Sequence, residues 1–254
     1  MKLEHMTWQE VDRRIQRGAA ILLPVGSTEQ HGPMGRIGTD TICADAVAQT
    51  AAQQCNAIVA PALAYTPAPF NTAFPGTVSV SPAVFTAYAR EVICGLLDQG
   101  FLGVFVVNGH GANVDPLKSI AAELSLTRLH IRSWWEPEAA NTLRKSLYGD
   151  WEGMHATPSE IAITQSLLGV LPANEASNPP QKLSPDYLRD HAGDRHGPPD
   201  EHRAMFPDGR VGSHSALATP EDGDRILHAS AQAIAAEFAD FEQGLRQVDQ
   251  RRDN

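Results

Sequence analysis

The sequence predicts an α/β chain built on a mostly parallel sheet with helices on both faces, and three observations predict it. Short apolar runs such as Ile21-Leu22-Leu23-Pro24-Val25 and Gly103-Val104-Phe105-Val106-Val107 alternate with longer segments of helical character. The connections between successive runs are long enough for the crossovers that parallel strands require. Polar, glycine-framed loops leave the carboxyl ends of these runs, where open α/β sheets form their sites.

The elements follow in order. Ala19 to Val25 reads as a buried strand, and a helix runs from Thr39 to about Gln54 with Asp40 in or just before its first turn. Ala57 to Pro61 is a second short strand, followed by a Pro-rich loop through Phe74-Pro75-Gly76-Thr77. Ser81 followed by Pro82 opens a helix that should run to Gln99 and stop at Gly100. The third strand, Gly103 to Val107, ends in Asn108-Gly109-His110-Gly111-Ala112-Asn113, where Asn113 can cap a helix reaching about Leu126. His130 to Trp134 is a further strand candidate. Residues 172–209 are rich in Pro, Asp, Arg and His with little periodicity, a long excursion suited to an oligomer arm or a site lid. Asp222 to about Leu245 is a final amphipathic helix. No internal repeat or second domain is visible, so residues 1–254 read as one domain.

Composition narrows the function classes. The 42% hydrophobic fraction of the 254 residues supports a full core. Twenty basic against thirty acidic residues give a formal charge of −10, which argues against nucleic acid or an anionic membrane as partner. Cys43, Cys55 and Cys94 are odd in number and form no Cys-x-x-Cys pair, so neither a disulfide framework nor a thiolate zinc site is indicated. The N-terminus lacks a signal-like apolar region, and no apolar run approaches the roughly 18 residues of a membrane span. A cytoplasmic location is therefore expected.

The chemistry concentrates at the strand ends. Glu29, His31 and Asp40 share one Gly-rich loop after the first strand, a composition suited to a divalent cation and hard to explain by packing. Asp40 has a competing role, since Thr39 or Asp40 is a natural helix cap. His110 stands between two glycines at the end of a buried strand, where a polar ring is rarely core filling. His155 precedes Thr157-Pro158-Ser159-Glu160, which fits a capping box; Glu160 is thus either that cap or, with His155, a ligand and acid/base pair. Trp134-Trp135 reads as core or rim, or as pocket lining. The remaining histidines have no paired spacing and are expected to be surface or structural.

Taken together, Gly26-Ser-Thr-Glu29-Gln-His31-Gly-Pro, Gly38-Thr-Asp40, Phe74-Pro75-Gly76-Thr77, Asn108-Gly-His110-Gly-Ala-Asn113 and His155-Ala-x-x-x-Glu160 resemble the creatininase (creatinine amidohydrolase) family, in order, over about two thirds of the chain. Gly212 to Thr219 is similar to the family's C-terminal signature. The resemblance implies a three-layer αβα sandwich, a homohexamer, and two divalent metal ions per chain, zinc and/or manganese. It implies that Glu29 and His110 hold one ion, His31 the other, and that Asp40 bridges them. His155 would be catalytic. Trp151, four residues before His155, matches a substrate-gating Trp, and Gly111 would also contact substrate.

One departure matters. Creatininase proper carries a metal-binding Glu two residues after the His matching His110, and here that position is Ala112. Family branches that hydrolyse formamides or process mycofactocin peptides resemble this chain in having a small residue there, and in them Glu160 looks like the replacement ligand. The expected activity is hydrolysis of a non-peptide C–N bond in a small, possibly cyclic, amide, by water activated between the metals. The alternatives are a formamide or short-peptide hydrolase, a sugar-lactone or ketone-type hydrolase, and a non-catalytic metal-binding protein.

Overall fold

Each of the apolar runs becomes a strand of one parallel sheet. The computed structural model describes residues 1–123 and 127–252. Its strands are β1 (Ile21–Val25), β2 (Ile58–Val59), β3 (Val104–Asn108) and β4 (Leu129–Ser133), in the order β2-β1-β3-β4. All three pairings are parallel: Ile21 faces Ile58 and Val104, Val25 faces Asn108, and Asn108 faces Ser133. β1 and β3 are buried throughout, as expected of strands covered on both sides.

Side-chain alternation assigns the two faces. Ile21, Leu23, Val25, Ile58, Val104 and Val106 share a core with α3 (Pro82–Asp98) and α4 (Val114–Glu123), against which α1 (Trp8–Ile15) also packs. Leu22, Val59, Phe105 and Val107 point the other way, into a core with α2 (Thr39–Cys55), α5 (Glu138–Tyr148), α6 (Pro158–Leu168) and α9 (Pro220–Arg252). The result is the expected three-layer αβα sandwich. No helix among the described residues is long and apolar enough to cross a membrane.

Strand order positions the site. From β1 the chain crosses through α2 to β2 on one side, whereas from β3 it crosses through α4 to β4 on the other. The loops leaving β1 and β3 therefore diverge and leave a crevice between them, the topological switch point at which such sheets bind ligands. Two glycines let those loops close on α2. A Cβ on Gly26 would overlap the Thr41 backbone, and one on Gly109 would overlap the Asp40 carbonyl oxygen.

Several boundaries differ from expectation. The second strand is shorter than Ala57 to Pro61, because only Ile58 and Val59 pair with β1. Asn113 does not cap the following helix: its amide donates to the Gly26 carbonyl at 2.9 Å and to Asn108 Oδ1 at 3.2 Å, tying the two strand-end loops together. That helix's expected end near Leu126 lies outside the described residues. α9 runs to Arg252, and α1 and α5 occupy segments to which the sequence pattern assigned nothing. The excursion carries α7 (Pro185–Asp190) and α8 (Pro199–Met205), both opened by prolines.

Candidate metal centre

The crevice gathers Glu29, His31, Asp40, His110, His155 and Glu160, all nine-tenths buried or more. Glu29 and His31 come from the β1 loop, Asp40 from the first turn of α2, His110 from the β3 loop, and Glu160 from the first turn of α6. Among the described residues, three sets of donor atoms lie within 4.8 Å of one another: Glu29–Asp40–His110, His31–Asp40–Glu160 and Glu29–His31–His155.

Hydrogen bonding fixes which ring nitrogens are bare. His110 Nε2 lies 2.7 Å from the Pro67 carbonyl oxygen, which can only accept, so Nε2 carries the hydrogen of a neutral ring. The bare Nδ1 then faces Glu29 Oε1 at 2.9 Å and Asp40 Oδ2 at 3.2 Å. Both oxygens are buried without a hydrogen-bond partner. His31 repeats the pattern: Nδ1 donates to the Glu29 carbonyl at 3.1 Å, and Nε2 faces Asp40 Oδ1 at 3.0 Å and Glu160 Oε2 at 3.9 Å. Two groups of lone pairs converge, and each contains one oxygen of Asp40. A tetrahedral cation with ligand bonds of about 2.0–2.2 Å spaces its donors about 3.3–3.6 Å apart, the scale seen here. The donor set fits divalent cations.

The electrostatics agree. Burial lowers the His31 pKa, but Asp40, Glu160 and Glu29 outweigh it and push the ring up to about 10. Burial would raise Asp40, yet His31 and His110 hold its carboxyl far below the usual range. A proton on each imidazole thus stands where a cation would, and the two compete for the same lone pairs.

Asp40 is not a cap: Gly38 occupies the cap position of α2 with no side-chain bond, and both Asp40 oxygens turn into the crevice. Glu160 does both jobs. Its Oε1 accepts from the Thr157 N–H at 2.5 Å in a complete capping box, while Oε2 faces His31. Burial, opposed by His31, raises Glu160 to about 7. His155 donates from Nε2 to the Gln30 carbonyl at 2.7 Å, and burial together with the charge on His31 holds it near 3, unprotonated. Ala156 beside it takes a left-handed φ of 56°, and the backbone is braced by Met154 N–H to the Val211 carbonyl and by Ser215 Oγ to the Ala156 carbonyl.

Beside the donors lies a cavity of about 220 Å³, lined among others by Gly111, Trp134, Trp135, Met154 and His155. Trp151 is not part of its lining. It sits in the turn Gly149–Glu152, edge-on to His214 at 5.5 Å and under the Lys182 ammonium at 4.6 Å. Two functional residues escaped the sequence reading. Asn71, in the Pro-rich loop, donates to Glu29 Oε2 at 2.7 Å and accepts from Gln30 Nε2 at 2.9 Å, orienting the carboxylate. Asp194, in the excursion, lines the cavity with Oδ2 3.6 Å from His110 Nδ1, and burial raises it to about 6 against the pull of His110. Neither stands at a spacing that marks it in sequence; the Phe74 to Thr77 segment beside Asn71, whose Thr77 Oγ1 accepts from Gln30 N–H at 3.0 Å, is the nearest signal.

The fold and its site define an α/β protein with a buried crevice, lined by carboxylates and imidazoles, at the switch point of a parallel sheet. The chain belongs to the creatininase family, whose profile, described as creatinine amidohydrolase, matches residues 4–238. It is 26% identical over 252 residues to the creatinine amidohydrolase of Pseudomonas putida, covering 91% of this chain and 93% of that one. It is 36% identical over 107 residues to 3-dehydro-scyllo-inosose hydrolase of Thermotoga maritima, 42% of this chain and 34% of that one. It is 39% identical over 128 residues to the mycofactocin precursor peptide peptidase of Mycolicibacterium smegmatis, 46% and 49% of the two chains. The chain thus spans a third to a half of the length of these last two relatives. The manganese form of a creatininase superposes with a TM-score of 0.72 at 23% identity, covering 94% of this chain and 97% of that one. A zinc–zinc form of a creatininase mutant gives 0.71 with the same identity and coverage.

Proposed function

We propose that the crevice holds two divalent cations, zinc or manganese, and hydrolyses the non-peptide C–N bond of a small, possibly cyclic, amide. The observation that carries this is Asp40: one oxygen joins Glu29 and His110, the other joins His31 and Glu160, so one carboxylate serves two donor sets. Bound cations supply a water of lowered pKa and an electrophile for the substrate carbonyl. Glu29 is oriented by Asn71, and the rings of His31 and His110 by backbone carbonyls, so the donors are arranged before anything binds. His155, kept neutral by burial, accepts a proton and returns it to the leaving nitrogen, which an amide requires. Glu160, with Oε1 held by the Thr157 N–H, offers Oε2 to the His31 donor set.

The cavity, at about 220 Å³, is smaller than the roughly 300–1,000 Å³ of drug-sized sites, which favours a compact substrate over a peptide. Trp134 and Trp135, in place of Trp151, are the aromatic walls in this reading. A formamide or short-peptide hydrolase is the second reading, favoured by Ala112 and by Glu160 standing among the donors of His31. The test is a screen of zinc- and manganese-reconstituted protein over creatinine, other cyclic amides and ureides, N-formyl compounds, ketone and lactone substrates, and short peptides, alongside metal analysis. Two metals per chain with turnover of a cyclic amide is the expected result. Turnover of N-formyl compounds or peptides alone moves the conclusion to the second reading, and metal-free protein of full activity overturns both. The homohexamer that the family resemblance implies is checked by light scattering.

A further inference from the structure

The arm between Asn174 and Gly209 returns to the sheet ends at a carboxylate. Asp194 Oδ2 accepts a hydrogen bond from the Ala112 N–H at 3.0 Å and lies 3.6 Å from His110 Nδ1. The contact is shaped from both sides. A Cβ on Gly111 would overlap that same oxygen. Asp194 itself takes a left-handed φ of 57°, following Gly193 at 75°, a conformation that Asp tolerates better than most residues. Its side chain is only 11% exposed.

Asp194 belongs to none of the three donor sets. It stands beside the Glu29–Asp40–His110 group through His110 and lines the same cavity as Asp40 and His110. A further carboxylate beside Glu29 and Asp40 adds negative charge to a poorly solvated crevice, which the two charges of a divalent cation would offset more fully than the single proton of the His110 ring. The arm's other anchors do not line the cavity. Arg203 donates to the Ala73 carbonyl at 2.6 Å, Phe70 packs against His196 and His202 at 4.7 and 5.1 Å, and the Arg195–Asp115 pair is exposed, where ion pairs contribute little.

We propose that Asp194 is an outer carboxylate of the cation pocket: from the arm, it strengthens cation binding by Glu29, Asp40 and His110 without ligating, and the bound cation in turn holds the arm against the sheet ends. Such coupling is reciprocal by thermodynamic necessity. The proposal rests on the two-cation reading above and adds to it the part played by residues 174–209.

The experiment uses Mn²⁺ alone, with the full chain. Asp194→Asn is the informative variant because its amide oxygen still accepts from Ala112 N–H while the charge is gone. Titration calorimetry should show Mn²⁺ binding weakened about 10–100-fold, the range for outer partners of metal ligands. Hydrogen exchange over residues 185–206 should slow on adding Mn²⁺ to the unaltered protein and not to Asp194→Asn. If Asp194→Asn does not fold, Gly111→Ala carries the test, since it displaces the carboxylate with every charge retained; it too should weaken Mn²⁺ binding. Equal Mn²⁺ affinity in a folded variant and the unaltered protein overturns the role of Asp194 and leaves the two-cation reading standing. An unaltered protein that binds neither Mn²⁺ nor Zn²⁺ overturns the two-cation reading and this proposal with it.

Discussion

Glu29, Asp40 and His110 reach the cavity from the ends of paired strands and the first turn of a helix, whereas Asp194 reaches it from an arm that touches the sheet ends mainly through side chains. The first group inherits its spacing from backbone geometry. The register Val25↔Asn108 sets the two loops side by side, and Gly26 and Gly109 bring α2 against both. The arm has no ladder. It is held by Arg210, whose guanidinium donates to the Ala176 and Asn178 carbonyls at 3.0 Å each and pairs with Asp208 at 2.7 Å, and by the ring cluster around Phe70. The sheet-end donors are thus placed by backbone pairing, and Asp194 by side-chain contacts.

The comparison breaks most sharply at Asp40. Asp40→Ala should lose both cations and with them essentially all turnover, because the Glu29–Asp40–His110 and His31–Asp40–Glu160 sets each contain one of its oxygens. The helix should persist, since Asp40 makes no capping bond. Metal analysis beside circular dichroism reads both; retention of a full metal complement would show that the sheet-end group is not a shared centre. On the arm, Arg210→Met breaks a buried ion pair on one side and leaves two carbonyls without donors, a loss of about 2–3 kcal/mol. Limited proteolysis should find new cleavage between residues 178 and 206 while the helices of the sandwich stay protected. Cleavage spread evenly over the chain would mean that the arm and the sandwich unfold as one.

Asn71→Ala tests the sheet-end group more finely. Glu29 Oε2 would lose its donor and the carboxylate its orientation, so metal affinity should fall about 10–100-fold with little change in stability, read by titration calorimetry. A larger loss of stability than of affinity would make Asn71 a structural residue of the Pro-rich loop.

The same division decides what the sequence could reveal. The four strands, their parallel arrangement and the polar residues at their ends are legible because apolar runs, glycines and polar loops recur with the period of the fold. Asp40 and Glu160 were ambiguous for a physical reason, as the first turn of a helix suits both a cap and a ligand. The structure resolves them in opposite ways: Asp40 caps nothing, and Glu160 spends one oxygen on each task. Trp151 illustrates the converse, a matching position in sequence whose ring packs against His214 outside the cavity lining. Asn71 lies in a Pro-rich loop and Asp194 in a segment of Pro, Asp, Arg and His, both without periodicity. Nothing local dictates which of many polar residues turns inward there; tertiary contacts made far along the chain choose it.

The smallest effect distinguishes the two regions by pH. His202, in α8 of the arm, is buried with Nε2 lacking a hydrogen-bond partner, and its ring packs edge-on to Phe70. Burial, helped by His191 and opposed by Glu29, holds its pKa down to about 4 from an ordinary 6.5. Between those values the unfolded chain takes up the proton and the folded chain does not, so the contribution of this ring to stability is complete above pH 6.5 and is lost as pH falls toward 4. The midpoint of thermal unfolding should be about 4–7 °C lower at pH 5 than at pH 7 on this account. Acid also protonates the cation ligands, so the unaltered protein alone does not isolate the arm. His202→Phe does: it keeps a ring against Phe70 and removes the titrating group. The difference in melting temperature between the two proteins should therefore change between pH 7 and pH 5. A difference that stays constant would show that the His202 ring has no part in the acid sensitivity.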